Sequence, residues 1–459
     1  MIVLKVGEIA SAVNGKVLSD NSGMGVSGVS FDSRKLEPGS LFVPLRGEKY
    51  DGHEFLDHAV KKGAKALLVD RDPEVDYRGV SVIRVEDTLD AFQSLACWYR
   101  GLFNVEFVAV TGSTGKTTTK NIIASVLSKK YPVLKTPGNY NNQIGLPATI
   151  MDLDETHRAA VVEMGMSGYG EIRNLMKIVR PRVSVITNIG MSHIERLGSR
   201  EGILRAKMEI FEGMAEEKAA VINADDPMLY KAGKGLNIPV AYYGLERGNY
   251  LASGIEVKGD SLTCFTLRAE GGDFKVSLSL PGRHNVLNAL AAVAVGRLFE
   301  IDFEDIIKAL AELEGEKMRL AVETSPSGVK VINDAYNASP DSMRGALEVL
   351  RDAPGERKIA VLSDMLEMGE YAEEGHRLVG EYAYKNGPDI LVAVGKDSRF
   401  IALEAKGRGM ASDCVHYFET KEEAAVLLDN IIKKGDVILV KGSRGMKMEK
   451  LAGRILERS

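Results

Sequence analysis

The chain has 459 residues, 45% of them hydrophobic and 27% charged, with a net charge of −5. That length accommodates about three domains of roughly 150 residues, each with a buried core, and the mixed, slightly acidic charge speaks against a nucleic-acid or anionic-membrane surface as the main business. Cys97, Cys264 and Cys414 lie far apart without C-x-x-C spacing, which argues against a disulfide framework or zinc site and fits a reducing cytoplasm; the charged start (Lys5, Glu8) and the lack of an apolar run of about 18 residues speak against a signal peptide or membrane span.

Residues 1–100 mix short strand-like runs ("KVLSD", "VSGVSFDSR", "SLFVPLRG", "ALLVD", "VSVIRV") with helix-like stretches near 54–63 and 87–100, and read as a small α/β module without a phosphate loop. Residues 101–316 alternate strands and amphipathic helices. "VEFVAV", "AAVVEMG" and "VSVITNIG" are near-continuous apolar runs ending in glycine or polar residues, as strands buried on both faces do. The helical stretches around them imply βαβ units and a doubly wound, mostly parallel sheet. "SLTCFTLRAEGGDFKVSLSLPG" alternates about Gly-Gly and predicts an antiparallel hairpin, and "HNVLNALAAVAVGRLFE" a buried helix. Residues 317–459 begin a second, Rossmann-like α/β sheet with "VKVINDAYN", "RKIAVLSDM", "DILVAVG" and "DVILVKGS"; no G-x-G-x-x-G accompanies it, so a dinucleotide site is not signalled.

The strand "VEFVAV" runs into "VTGSTGKTTTK" and then a helix. Gly112 and Gly115 let backbone N–H groups turn toward a phosphate at a helix N-terminus, with Ser113, Thr114 and Thr118 beside it; Lys116 can reach the β/γ-phosphates and the Thr117 hydroxyl a Mg²⁺ ion. Val110 stands where the full G-x-x-x-x-G-K-[ST] pattern has its first glycine. Such a site needs acidic or imidazole groups at neighbouring strand ends, where open α/β sheets bind ligands. Glu163 and His193 occupy such ends, although a turn carboxylate and a loop histidine are the plain alternatives. Lys207, in "RAKMEIF", reads on its own as an exposed helix lysine. "GNYNNQIGLP" gathers Asn139, Asn141, Asn142 and Gln143; "NADDP" holds Asn223, and "GRHNVLNA" holds His284, Asn285 and Asn288. Asx turns and helix caps explain these three segments equally well.

Taken together, "TGSTGKTT", "EMG", "TNIGMSHIE", "AKMEIF", "NADDP" and "GRHNVLNALAA", in this order, resemble the Mur ligase superfamily of ATP-dependent amide-forming enzymes, over essentially the whole chain. That family's loop is the shorter G-x-x-G-K-T. "DAYNASPDSM", "SDMLEMGE" and "VKGSRGMKME" resemble the members that add D-alanyl-D-alanine; the D-N-P-R motif of a sister ligase is absent. Ser363 stands where the pattern has glycine, and "EGEKMRLAV" matches loosely around Arg319.

The resemblance implies three domains: 1–100 for the UDP end of the substrate, 101–316 for ATP, and 317–459 for the acceptor and closure of the ATP site. It implies ligation of UDP-N-acetylmuramoyl-tripeptide to D-alanyl-D-alanine through an acyl phosphate, in a cytoplasmic monomer. Lys116, Glu163, His193 and Lys207 become the catalytic set. Two Mg²⁺ ions sit on Thr117, Glu163, His193 and Lys207, the last as a CO₂-derived carbamate. Asn223, His284, Asn285, Asn288, Arg319, Asp334, Tyr336 and Asn337 join the nucleotide site, the last three on closure of the third domain. Ser33, Arg34, Asn139, Asn142, Ser443 and Arg444 bind substrate. The rivals are a sister amino-acid ligase or folylpolyglutamate synthase, which carry a His-containing segment in place of "YNASP", and a P-loop protein that uses ATP as a switch.

Overall fold

Three sheets carry the chain, in a computed structural model that describes residues 1–18, 23–47, 49–259 and 261–457. The first is five-stranded, in the order Lys16–Val17, Ser81–Arg84, Ala66–Val69, Ser40–Phe42, Gly28–Ser30, with a two-stranded ribbon of Leu4–Lys5 and Gly25–Val26 beside it. The helix-like stretches become Leu56–Lys61 and Thr88–Arg100. A short helix, Val6–Ala12, also forms where no periodicity announced one. Ser19 and Asp20 of "KVLSD" lie outside the described residues.

The second sheet has nine strands, ordered Gly272–Leu278, Leu262–Ala269, Tyr250–Lys258, Val240–Gly244, Ala219–Asn223, Val183–Ile186, Glu106–Thr111, Ala159–Glu163, Val133–Lys135. The seven from Tyr250–Lys258 onward pair in parallel and the first three form an antiparallel meander. The continuous apolar runs are the central strands, with Val108, Val110, Val161 and Val185 fully buried on one face and Phe107, Ala109, Ala160 and Val162 on the other. The Gly-Gly hairpin forms as expected: Gly271 and Gly272, both with positive φ, turn the chain between paired strands.

Glu106–Thr111 lies between Val183–Ile186 and Ala159–Glu163. The loop after it, Glu163, and the segment 187–193 therefore emerge side by side at one end of the sheet, where a ligand crevice opens. Helix Lys116–Leu127 packs on helices Arg283–Leu298 and Phe303–Ala311. Gly296 permits the close approach, since a Cβ there would stand 2.7 Å from Val126 Cγ1.

The third sheet, Ala321–Thr324, Lys330–Asp334, Asp436–Lys441, Arg357–Ser363, Ile390–Val394, Val415–Phe418, is parallel but for its first strand. Asp364 pins three of its strand ends. The buried carboxylate accepts from the backbone N–H of Asp397 (3.1 Å) and Ser398 (2.7 Å) and from Ser398 Oγ (2.7 Å), and the backbone carbonyl of Asp364 accepts from the N–H of Ser443 (3.1 Å). Removing the acceptor strands buried donors, so Asp364→Ala should destabilise the protein by about 2–4 kcal/mol. An unchanged urea midpoint would contradict this role.

Candidate active site

At the head of helix Lys116–Leu127 the chain must turn tightly. Gly112 (φ +150) and Gly115 (φ +78) do this, and a Cβ at Gly112 would overlap Thr187 Oγ1. The strand before them includes Val110 and Thr111, so the missing glycine falls within regular sheet. Segment 187–190 braces the loop. Thr187 Oγ1 donates to Thr114 O (2.6 Å), Ser113 N donates to Asn188 O (3.0 Å), and Gly190 N to Ser113 Oγ (2.8 Å). Beneath the loop Asn288 Oδ1 accepts from Thr119 Oγ1 (3.1 Å) and stands where a Cβ on Gly115 would fall. Asn288 Nδ2 donates to Asn285 Oδ1 (3.0 Å), and Asn285 Nδ2 to Pro281 O (2.7 Å).

Charged groups gather around this frame. Lys116 Nζ donates to Gly112 O (2.9 Å) and Ser113 O (3.3 Å), and burial lowers its pKa despite the Glu163 charge. Glu163, 2% exposed, accepts from Thr117 Oγ1 (2.7 Å) on one oxygen and from Asn141 Nδ2 (2.7 Å) on the other. Arg319 Nη2 donates to Thr117 Oγ1 (2.8 Å), and its guanidinium lies 4.0 Å from the centre of the Tyr336 ring.

Lys207 is not the exposed helix lysine of the bland reading. It is buried, and its Nζ donates to Gly112 O (2.9 Å). Burial first, then the nearby Lys116, hold its pKa well below the ordinary lysine value. His193 adopts φ +64, and its Nδ1 is 2.7 Å from Glu367 Oε2.

A cleft of about 1520 Å³ joins these groups. Ser113 to Thr118, Asn139, Asn142, Glu163, His193, Lys207, Asn223, His284, Asn285, Asn288, Arg319, Asp334, Tyr336 and Asn337 all line it. The third domain's Asp334, Tyr336 and Asn337 thus already face the loop in this arrangement. Asn223 has its amide engaged, donating to Thr187 O (3.1 Å) and accepting from Asp225 N (3.0 Å). His284 Nδ1 is buried without a hydrogen-bond partner among the described residues, and burial lowers its pKa to about 4, leaving a neutral ring. Asn142 Oδ1 accepts from Gly145 N (2.8 Å) at the start of helix Gly145–Met151.

The remaining residues lie outside the cleft lining. Ser33 is buried, its Oγ 2.9 Å from His58 Nδ1, while Arg34 is 82% exposed and grips Asp32 with two 2.9 Å bonds. The Tyr140 ring, 6.5 Å from that of Phe31, connects this region to the 139–142 loop. Ser443 Oγ accepts from Leu366 N (2.9 Å), and Arg444 approaches the Tyr336 ring at 6.0 Å. One residue of the amide-rich loop takes a role the sequence did not give it, and one group escaped the sequence reading. Asn141, beside the expected Asn139 and Asn142, is the amide that holds Glu163. Lys441, buried, donates to Asp334 Oδ2 (2.5 Å) and Asn337 O (3.0 Å). Its signal was a lysine closing an apolar strand.

Among the described residues no group of three or more His, Cys, Asp or Glu forms a metal cluster. The Thr117–Glu163 oxygen pair nevertheless fits Mg²⁺, which takes one or two protein oxygens and completes its shell with phosphates and water.

The chain matches the Mur ligase catalytic domain over residues 25–100, the Mur ligase middle domain over 110–296 and the Mur ligase glutamate ligase domain over 318–444. It is 40% identical to the UDP-N-acetylmuramoyl-tripeptide–D-alanyl-D-alanine ligase of Bacillus subtilis, covering 100% of this chain and 99% of that one. Identity to the enzyme of that name from Escherichia coli is 36%, with the same coverage. Crystal structure I of MurF from Acinetobacter baumannii superposes with a TM-score of 0.92 at 33% identity, covering 99% of both chains. MurF of Thermotoga maritima in complex with ADP gives 0.83 at 32% identity, over 93% of this chain and 96% of that one.

Proposed function

The chain belongs to the Mur ligase family, and we propose from that premise how its cleft makes a peptide bond. The protein is an ATP-dependent ligase that joins UDP-N-acetylmuramoyl-tripeptide to D-alanyl-D-alanine in peptidoglycan precursor synthesis. The observation that carries the mechanism is the convergence of Lys116, Arg319, the Thr117–Glu163 pair and Lys207 on one phosphate loop.

A carboxylate is a poor electrophile, and it must approach an equally anionic γ-phosphate. Lys116 and Arg319 offset that repulsion while the loop N–H groups orient the phosphates. A carboxylate oxygen attacks the γ-phosphorus, the bond to the β,γ-bridging oxygen breaks, and ADP leaves. The D-alanyl-D-alanine amine then attacks the acyl carbon, loses its proton, and inorganic phosphate departs. Two Mg²⁺ ions, for which Thr117, Glu163, His193 and a carbamate on Lys207 are the residues at hand, would add positive charge at the phosphates and the substrate carboxylate. Lys207 is suited to a carbamate, because burial and Lys116 push its amine toward the neutral form that adds CO₂, and the product is anionic.

Residues 1–100, 101–316 and 317–459 divide the work as UDP-substrate, ATP and acceptor units. Ser33 and Arg34 serve the UDP end, with Asn139 and Asn142 next to it, and Ser443 and Arg444 the acceptor side. No described helix is long and apolar enough to cross a membrane. A cytoplasmic monomer, where ATP is at hand, completes the reading.

Isotope tracing tests the chemistry. With ¹⁸O in the substrate carboxylate, one ¹⁸O should appear in the released phosphate. Phosphate free of label would rule the acyl phosphate out.

A further inference from the structure

Two residues in the left-handed backbone region meet across the boundary between the second and third sheets. His193 (φ +64) precedes the short helix Ile194–Leu197, and Glu367 (φ +61) lies in the loop after strand Arg357–Ser363. Neither is glycine, so each carries a backbone cost that the surroundings must overcome. Their side chains face each other with Nδ1 and Oε2 2.7 Å apart.

The surroundings are built to hold this meeting. Gly369 (φ +51) lies so close to the Ile194–Leu197 helix that an added Cβ would stand 2.8 Å from Glu195 Cγ. Tyr371 OH donates to Gly198 O (2.7 Å). At the other end of the loop Leu366 N donates to Ser443 Oγ (2.9 Å), and the Asp364 carboxylate pins the loop's root. The loop 364–371 therefore runs from the acceptor-side strand ends to the imidazole at the phosphate end.

We propose that Glu367 is a positioning residue for His193: it fixes the imidazole ring when the third domain is docked, so that the ring is set for catalysis only in the docked arrangement. A carboxylate on Nδ1 holds the proton there and leaves the Nε2 lone pair to face a cation. The orientation of the ring is then set by a group from another domain, about 170 residues away in sequence, instead of by its own strand-end loop. The inference rests on the placing of His193 in the active site.

The test compares E367A, E367Q, Y371F and H193A in the full-length enzyme. E367A should lower kcat at least tenfold while KM for the UDP-substrate stays within about twofold. E367Q keeps an acceptor oxygen and should recover most of kcat. Y371F removes one of several docking contacts, and one that does not touch His193, so it should lower kcat clearly less than E367A does. Without ligands, hydrogen exchange over residues 191–198 should rise in E367A and not in E367Q. Full kcat in E367A, equal losses in E367A and E367Q, a Y371F loss matching that of E367A, or unchanged exchange in E367A would overturn the proposal. An active H193A would instead overturn the site reading itself, whereas an inactive H193A beside a fully active E367A overturns only the role of Glu367.

Discussion

Lys116→Ala is expected to lower kcat by at least about a thousandfold, near 4 kcal/mol of transition-state stabilisation, while affinity for the UDP-substrate stays within about twofold. The lysine is half-buried at the phosphate loop, where the charge of its ammonium acts in a lower effective dielectric than in water. Its hydrogen bonds to Gly112 O and Ser113 O hold it arched over the loop, close to where a phosphate would lie. Ser33 and Arg34 lie in a turn between two strands of the first sheet and line no part of the cleft. Equilibrium binding of the UDP-substrate beside steady-state turnover reads both quantities. Retained turnover would remove Lys116 from the chemistry, and lost UDP-substrate affinity would contradict separate sites.

Lys207→Ala should be comparably damaging, and part of the loss should return with a short-chain carboxylate such as acetate in the buffer. A bare ammonium at this position would sit beside Lys116 with no described carboxylate bonded to it, in a buried place. Burial and Lys116 both drive the amine toward its neutral form. A carbamate turns that destabilised base into an anion matched to Lys116 and to a cation at Thr117 and Glu163. Rescue by a free carboxylate tests the anion itself, since a small acid can enter the space the side chain vacates. Wild-type activity should also fall when CO₂ is stripped from the buffer. Full activity of the alanine variant, or CO₂-independent wild-type activity with no rescue, would contradict the carbamate.

The backbone of this account was readable because its signals are local. Continuous apolar runs mark the central parallel strands, Gly-Gly marks the hairpin, and Gly112 and Gly115 mark a turn that an L-residue cannot make without strain. The shorter G-x-x-G-K-T loop leaves Val110 in the strand, which runs one residue further, to Thr111. Side-chain direction was less legible. The amide-rich loop 139–143 announces its chemistry but not which of its amides reaches Glu163, which is Asn141. Asn285 and Asn288 line the cleft, yet their amide bonds brace the phosphate loop from beneath, because the helix that carries them packs directly under it. Lys441 and Glu367 come from strand ends more than a hundred residues from the groups they meet, Asp334 and His193, so no local pattern could pair them.

The most direct test of the central claim is ADP release measured with UDP-N-acetylmuramoyl-tripeptide and a panel of amine acceptors. D-alanyl-D-alanine should stimulate release strongly, single amino acids and glutamate should not, and the product should gain the mass of the dipeptide less water. Release that ignores D-alanyl-D-alanine, or that responds better to a single amino acid, would contradict the account.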